Sequence, residues 1–230
     1  RYYSFSVQTI RYRKSSKDIV EGIKTDGYIG IYARCGGMDS SRFDGKAITE
    51  EKWSALFSYY FELWVADKTL AALQDLVEAG LVSSEVDTAI ASEITQLLDR
   101  RVTTFGSISE ARKFFSDVRK NLDYSVNNAA ITNKIDAEIL VTQGHLFFGL
   151  PKIFCTHIEF LKQVVFVYLL DEFENFALPR QIYINTLLRE REGPVAFRIG
   201  SRLYGRRSLL TLSSGERNLR DSEYEDLFLD

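Results

Sequence analysis

Residues 164–175 read VVFVYLLDEFEN, and the fold turns on this stretch. Gln163–Leu170 is a continuous β-branched and aromatic run, which is how a strand buried on both faces of a parallel sheet reads. Its apolar part, Val164–Leu170, is seven residues long, far short of the roughly 20 that a membrane-spanning helix needs. Downstream, Pro179 stands at a first-turn position, opening a predicted helix over Arg180–Glu192 that Gly193 ends. VAFRIG at Val195–Gly200 reads as a further strand. Strand, helix and strand joined by short links make a crossover unit of an α/β sheet. Upstream, EILVT at Glu138–Thr142 predicts a short strand. Phe147–Leu161 predicts a helix that Pro151 either bends or opens.

The amino-terminal part supplies one more strand and a helical block. RYYSFSVQTIRYRK at the start reads as the tail of a helix, with Tyr2, Phe5 and Ile10 on one face. Asp26–Gly27 is a turn signal, Tyr28–Cys35 (YIGIYARC) alternates like a strand, and Gly36–Lys46 reads as a loop. Thr49 is a good N-cap, with Glu50 and Glu51 in the first turn to complement the helix dipole. The helix that follows carries Trp53, Phe57, Phe61, Leu70 and Leu73 at helical spacing and stops at Gly80. Two more helices are predicted, Ser84–Arg101 and Ser107–Asn121, the second opening on a capping box, Ser107 to Glu110. The span 49–130 is therefore helical, and its aromatic stripe reads as core. Glu216–Asp230 reads as a surface helix or a frayed terminus.

Two carboxylates, Asp171 and Glu172, end the apolar strand. In open α/β sheets ligands sit at the carboxyl ends of the strands. Burying carboxylates there is costly unless they face a cation or a proton in transit. A Walker B element has this form. In that reading Asp171 holds Mg²⁺ through water, and Glu172 orients or deprotonates the water that attacks the γ-phosphate. The bland alternative is a strand that ends in an acidic turn.

Composition narrows the classes. The chain has 230 residues, 45% hydrophobic and 27% charged, which excludes disordered, collagenous and disulfide-rich classes. Twenty-nine basic and 32 acidic residues give a net charge of −3, unlike a protein that coats nucleic acid. Cys35 and Cys155 lack CxxC spacing and read as small buried hydrophobes. Only two histidines, His145 and His157, are present, too few for a structural zinc site. Reduced thiols and the lack of a signal peptide point to the cytoplasm. The chain opens at Arg1 rather than Met and reads as a piece of something longer.

The residues after the acidic pair carry a resemblance. DEFENF at 171–176 is followed by LPRQIYINTL, with Gln181, Asn185, Thr186 and Leu187 in a Gln-x-x-x-Asn-Thr-Leu pattern. Then comes Phe197-Arg198-Ile199-Gly200, and the chain closes on GERNLRDSEYEDLFLD. This resembles the bacterial and archaeal AAA-type P-loop ATPases grouped with the origin-recognition ATPases. The opening RYYSF resembles the helix that follows the P-loop in that family. The resemblance covers about residues 1–35 and 138–230 and implies a P-loop NTPase-like parallel sheet with an inserted helical block. The division it implies is 1–48 and 131–230 as two parts of the ATPase core, with 49–130 as the insertion. It implies ATP and Mg²⁺ as cofactors, homo-oligomers, and a DNA or effector-protein partner. By resemblance Ser201 and Arg202 lie nearest the position that senses the γ-phosphate, joined by Arg198. Glu174 and Asn175 support the turn after the Walker B strand. Gln181 and Asn185, one helical turn apart, position the nucleotide or pack against the sheet.

The chain departs from this pattern in one respect. It holds no G-x-x-x-x-G-K-[ST], the loop whose amides and lysine cradle phosphates. The nearest match, Gly37 to Gly45-Lys46-Ala47, has seven residues between the glycines, and Ala47 replaces the Mg²⁺-binding hydroxyl. It reads as a decoy. The resemblance then places the P-loop just before Arg1, so that this chain is a truncated core, inactive alone. Three function classes follow: an Mg²⁺-dependent ATPase, a nucleotide-fold interaction module without hydrolysis, and a DNA-binding protein using the arginines at 198–207 and 217–220.

Overall fold

The apolar run forms the middle of a sheet. A computed structural model describes residues 16–45 and 48–227, and in it Val165–Asp171 is strand β2. Tyr28–Arg34 is β1 and Val195–Ile199 is β3. The sheet order is β1-β2-β3, and both pairings are parallel. Tyr28 lies opposite Val165 and Arg34 opposite Asp171, while Leu170 lies opposite Ile199. The helix-tail reading of residues 1–14, and Lys46 and Ala47 of the decoy, lie outside the described residues.

The helices are, in chain order, α1 (Ser16–Asp26), α2 (Glu50–Glu78), α3 (Ser84–Thr95), α4 (Ile108–Thr132), α5 (His145–His157) and α6 (Leu178–Arg189). Local signals set most of their ends. Thr49, Ser83 and Ser107 each accept a backbone N–H with the side-chain oxygen, and Gly27 and Gly80 follow their helices with φ of +70°. Pro179 sits in the first turn of α6.

One face of the sheet carries the core. Ile29, Ile31, Ala33, Phe166, Tyr168 and Leu170 are buried there, in one cluster with Trp53, Phe57 and Phe61 of α2 and Phe147 and Phe154 of α5. Phe57 and Phe61 both pack edge-on against Phe176 and Tyr183, which ties α2 to α6. The opposite face differs from the sequence expectation of a strand buried on both sides. Among the described residues Tyr32 is 44% exposed there and Val165 37%.

Four further expectations are corrected. The first helix after Gly80 ends at Thr95, not Arg101, because Leu97 and Leu98 turn to i−3 carbonyls and Asp99 donates its N–H to Leu140. The second runs on past Asn121 to Thr132, carried by buried Leu122, Val126 and Ala129. Glu138–Thr142 is not a strand; its carbonyls accept from the Asp99 N–H at Leu140 and the His145 N–H at Thr142, and no strand among the described residues pairs with it. Residues 216–227 form no helix. Thr211 donates its N–H to Glu216, buried Asn218 donates its side chain to the Asn185 carbonyl, and the Ser222 and Glu223 N–H groups turn back to the Leu219 carbonyl, so turns and isolated bridges hold the segment.

Pro151 lies inside α5 rather than opening it. A proline there cannot donate to the carbonyl four residues back, at Phe147. The buried Tyr168 hydroxyl of β2 supplies that bond instead, at 2.9 Å.

Candidate active site at the strand ends

Because the three strands are parallel, their carboxyl ends meet on one side of the sheet. Asp171, the last residue of β2, is half-buried. Its Oδ2 accepts from the Tyr32 hydroxyl at 2.9 Å, and its Oδ1 accepts from the Glu172 N–H at 2.9 Å. Burial, and then this bond to Asp171, hold the Tyr32 phenol above its usual range. Gly200 follows β3, and a Cβ there would sit 2.9 Å from Asp171 Oδ1. The bare backbone is what lets the two strand ends close on one another.

Glu172 departs from the strand into a left-handed conformation, φ 58° and ψ 41°. For a residue with a Cβ this costs on the order of 1 kcal/mol or more. Asn175 donates its N–H to the Glu172 carbonyl at 3.0 Å, closing the turn Phe173–Asn175. The turn aims the Glu172 carboxylate across the sheet end at Arg34, whose guanidinium lies 2.7 Å away. That bond holds Arg34 more firmly in its charged form. Asn175 donates its side-chain amide to Glu172 at 3.3 Å. Gly36 leaves room for this group, since a Cβ there would lie 2.3 Å from Glu172 Oε2.

The sensor-like residues lie on the next rim. Arg202 reaches Glu174 with its guanidinium at 3.3 Å and with its backbone N–H at 3.3 Å. Ser201 is exposed beside it, and Arg198 is an exposed residue of β3 in the same row as Tyr32 and Leu169. Gln181 and Asn185 are buried on α6. Gln181 donates to the Gly205 carbonyl at 2.9 Å and accepts from the Arg207 N–H at 2.8 Å. Asn185 donates to the Ser208 and Leu210 carbonyls, both at 3.0 Å. Both side chains therefore spend their polar ends on the backbone that follows β3. Asp171, Glu172, Glu174, Asn175 and Arg202 come together, while Gln181 and Asn185 act from behind the loop.

Three neighbours escaped the sequence reading: Tyr32, Arg34 and Gly36. Their signal was present, in that the predicted strand Tyr28–Cys35 ends beside them, but only the pairing register sets that end against Asp171. Cys35, next in the chain, is buried, and desolvation with Asp171 nearby pushes its thiol up to about 12. The loop after β1 is packed rather than open. Gly45 O accepts from the Trp53 indole at 2.8 Å, Phe43 O accepts from Arg180, and Ser40 donates to Asn175 O at 3.3 Å.

The fit of Mg²⁺ can be judged from the donors. Among the described residues no group of three or more His, Cys, Asp or Glu side chains could hold a metal ion by itself. Asp171 offers hard carboxylate oxygens with lone pairs beyond its two hydrogen bonds. A hydrated ion held by one carboxylate and by substrate phosphates suits that donor set; an all-protein cage does not. No helix among the described residues is long and apolar enough to cross a membrane.

No curated protein and no solved structure is similar enough to this chain to count as a match. A family model described as ORC-CDC6-like matches residues 1–230, the whole length carrying the strand ends described above, and the chain belongs to that family.

Proposed function

We propose that this chain is the core of an Mg²⁺-dependent, AAA-type ATPase that turns ATP hydrolysis into a change of conformation or assembly. Family membership supports a relationship to AAA-type ATPases. The observation that carries the reading further is the pair Asp171–Glu172 at the carboxyl end of the central parallel strand, with Arg34 set against it.

In this reading Asp171 would hold a hydrated Mg²⁺, which when bound would supply positive charge against the phosphates. Tyr32 orients the Asp171 carboxylate through its hydroxyl. Glu172 is the base that orients and deprotonates the attacking water. Its ion pair with Arg34 holds it away from that task, so nucleotide must draw the carboxylate off Arg34 before turnover. Arg202, tethered by Glu174, and Ser201 would sense the γ-phosphate, with Arg198 in support. Glu174 and Asn175 shape the turn, and Gln181 and Asn185 brace the loop that bears the sensors. The helices at 49–130 are read as a block set into this core, a reading that the direct pairing of β1 and β2 on either side of it supports. The phosphate grip comes from a glycine-rich loop that residues 1–230 do not contain.

The test is Glu172→Gln in the protein together with whatever its gene encodes upstream of Arg1. ATP binding should persist while turnover falls by roughly 10²-fold or more. Unchanged turnover with native ATP binding would remove Glu172 from the mechanism. A wild-type protein that binds ATP without hydrolysing it would move the reading to a nucleotide-dependent interaction module.

A further inference from the structure

The sequence holds two Asp-Gly pairs and no Asn-Gly. Asp26–Gly27 closes α1, and Asp44–Gly45 lies in the loop between β1 and α2. In such a pair the amide nitrogen of the glycine can attack the side-chain carboxyl before it, because no Cβ obstructs the approach. Both glycines have positive φ, 70° at Gly27 and 62° at Gly45, so backbone freedom does not distinguish them. The partners of their amides do. The Gly27 N–H is spent on the Ile23 carbonyl at 2.9 Å, at the end of α1. The Gly45 N–H turns back on its own neighbour and donates to Asp44 Oδ1 at 2.7 Å, so the attacking nitrogen already touches the carboxyl group. Asp44 and Gly45 are both exposed to the water that the reaction releases and consumes. The carbonyls around them are anchored. Phe43 O accepts from Arg180, a residue 3% exposed, and Gly45 O accepts from the Trp53 indole at 2.8 Å and the Ile48 N–H at 3.2 Å.

We propose that Asp44 is a site of spontaneous isoaspartate formation that unfastens this loop, while Asp26 is spared by the helix end. The Gly45 nitrogen bonds to Asp44 Cγ as the C–OH bond of the protonated carboxyl breaks. The amide proton leaves with the hydroxyl as water, and a succinimide ring remains. Water then adds to one of the two ring carbonyls. Addition at Cγ breaks the new bond and restores aspartate. Addition at the main-chain carbon breaks the original peptide bond to Gly45 and leaves the chain running through Cβ and Cγ, an isoaspartate. The step needs no oxidant, metal or enzyme. Its product lengthens the main chain by one C–C bond, about 1.5 Å, between the anchored Phe43 and Gly45 carbonyls, more than a hydrogen bond can stretch. The loop therefore loses its hold on Arg180 or on Trp53, and either loss leaves a buried donor short of an acceptor.

The test is to age the protein for several weeks at mildly acidic pH, once folded and once in guanidinium chloride, and then to cut it with a lysine-specific protease. One peptide, Thr25–Lys46, carries both sites, and isoaspartate-specific fragment ions assign each. In the folded protein Asp44 should convert about fivefold faster than Asp26 or more, the factor that one hydrogen bond at Gly27 is worth. In denaturant neither amide is held, and the two rates should draw together. Water enriched in heavy oxygen should label the Asp44 site, since each succinimide takes up one solvent oxygen. In the aged folded protein the Trp53 indole N–H resonance should shift while that of Trp64 stays. Equal rates in the folded protein, or a faster Asp26, overturn the proposal. A rate ratio unchanged by denaturant overturns it too, because the preference would then belong to sequence neighbours and not to the fold. Isoaspartate at Asp44 beside an unmoved Trp53 resonance and unchanged urea stability would overturn the unfastening of the loop.

Discussion

Glu62→Gln should remove most of the pH dependence of stability between pH 5 and 8. Glu62 lies on α2, 2% exposed, and its carboxylate accepts the N–H groups of Gly144 and Leu146 at the start of α5. The Tyr183 hydroxyl adds a bond at 3.4 Å. Two amides and a helix N-terminus favour the anion, yet burial dominates and raises its pKa from 4.5 to about 7. The folded pKa thus stands above the unfolded one. Folding is favoured while the group is protonated, and that contribution is complete below pH 4.5 and is lost as pH rises through about 7. A rise of this size is worth on the order of 3 kcal/mol, most of which is lost between pH 5 and 8. A glutamine at this position cannot ionise, so the variant's urea-unfolding free energies at the two pH values should differ by about 1 kcal/mol or less from this source. The substitution also costs one acceptor, since the amide NH₂ must face a backbone N–H; that lowers stability at both pH values by about 1–3 kcal/mol and leaves the slope untouched. The measurement is urea unfolding of both proteins at pH 5 and 8. Equal pH slopes would refute the argument and mean that the amides keep Glu62 ionised throughout.

Two further outcomes follow from buried polar bonds. Gln181→Ala strands the Gly205 carbonyl and the Arg207 N–H, so stability should fall by roughly 2–4 kcal/mol and trypsin should cut faster at Arg202, Arg206 and Arg207; a cleavage rate like wild type would show that the strap does not depend on Gln181. Tyr168→Phe leaves the Phe147 carbonyl without a donor opposite Pro151, at a cost of about 1–3 kcal/mol by chemical denaturation, whereas the same change at exposed Tyr204 should cost almost nothing.

Much of the fold was legible because its signals are local. An unbroken apolar run ending in DE marks β2 and its site, Thr49 and Ser107 mark helix starts, and Gly80 a stop. The place of the acidic pair at a strand end was legible for the same reason: strand and pair lie within twelve residues of sequence. The misreadings fall where long-range partners outweigh local preference. Thr95 ends α3 because the Phe105 N–H takes its hydroxyl and the Leu140 carbonyl takes the Asp99 N–H. EILVT has the composition of a strand and, among the described residues, no strand to lie beside. Pro151 could bend the helix or open it by sequence, and the hydroxyl that makes it tolerable inside α5 comes from β2.

The sequence alone determined that Asp171 and Glu172 follow an apolar strand, that Pro179 stands in the first turn of α6, and that no glycine-rich phosphate loop lies within the chain, since each is a matter of neighbours along the backbone. Only the tertiary structure decided what those groups face. Tyr32 reaches Asp171, and Arg34 reaches Glu172, because a parallel register sets Arg34 opposite Asp171. Gln181 and Asn185 hold the backbone after β3 because that backbone folds over α6. Charge pairing and hydrogen bonding act over a few ångströms of space. Residues far apart in the chain acquire their partners only when the sheet register and helix packing bring them within that range.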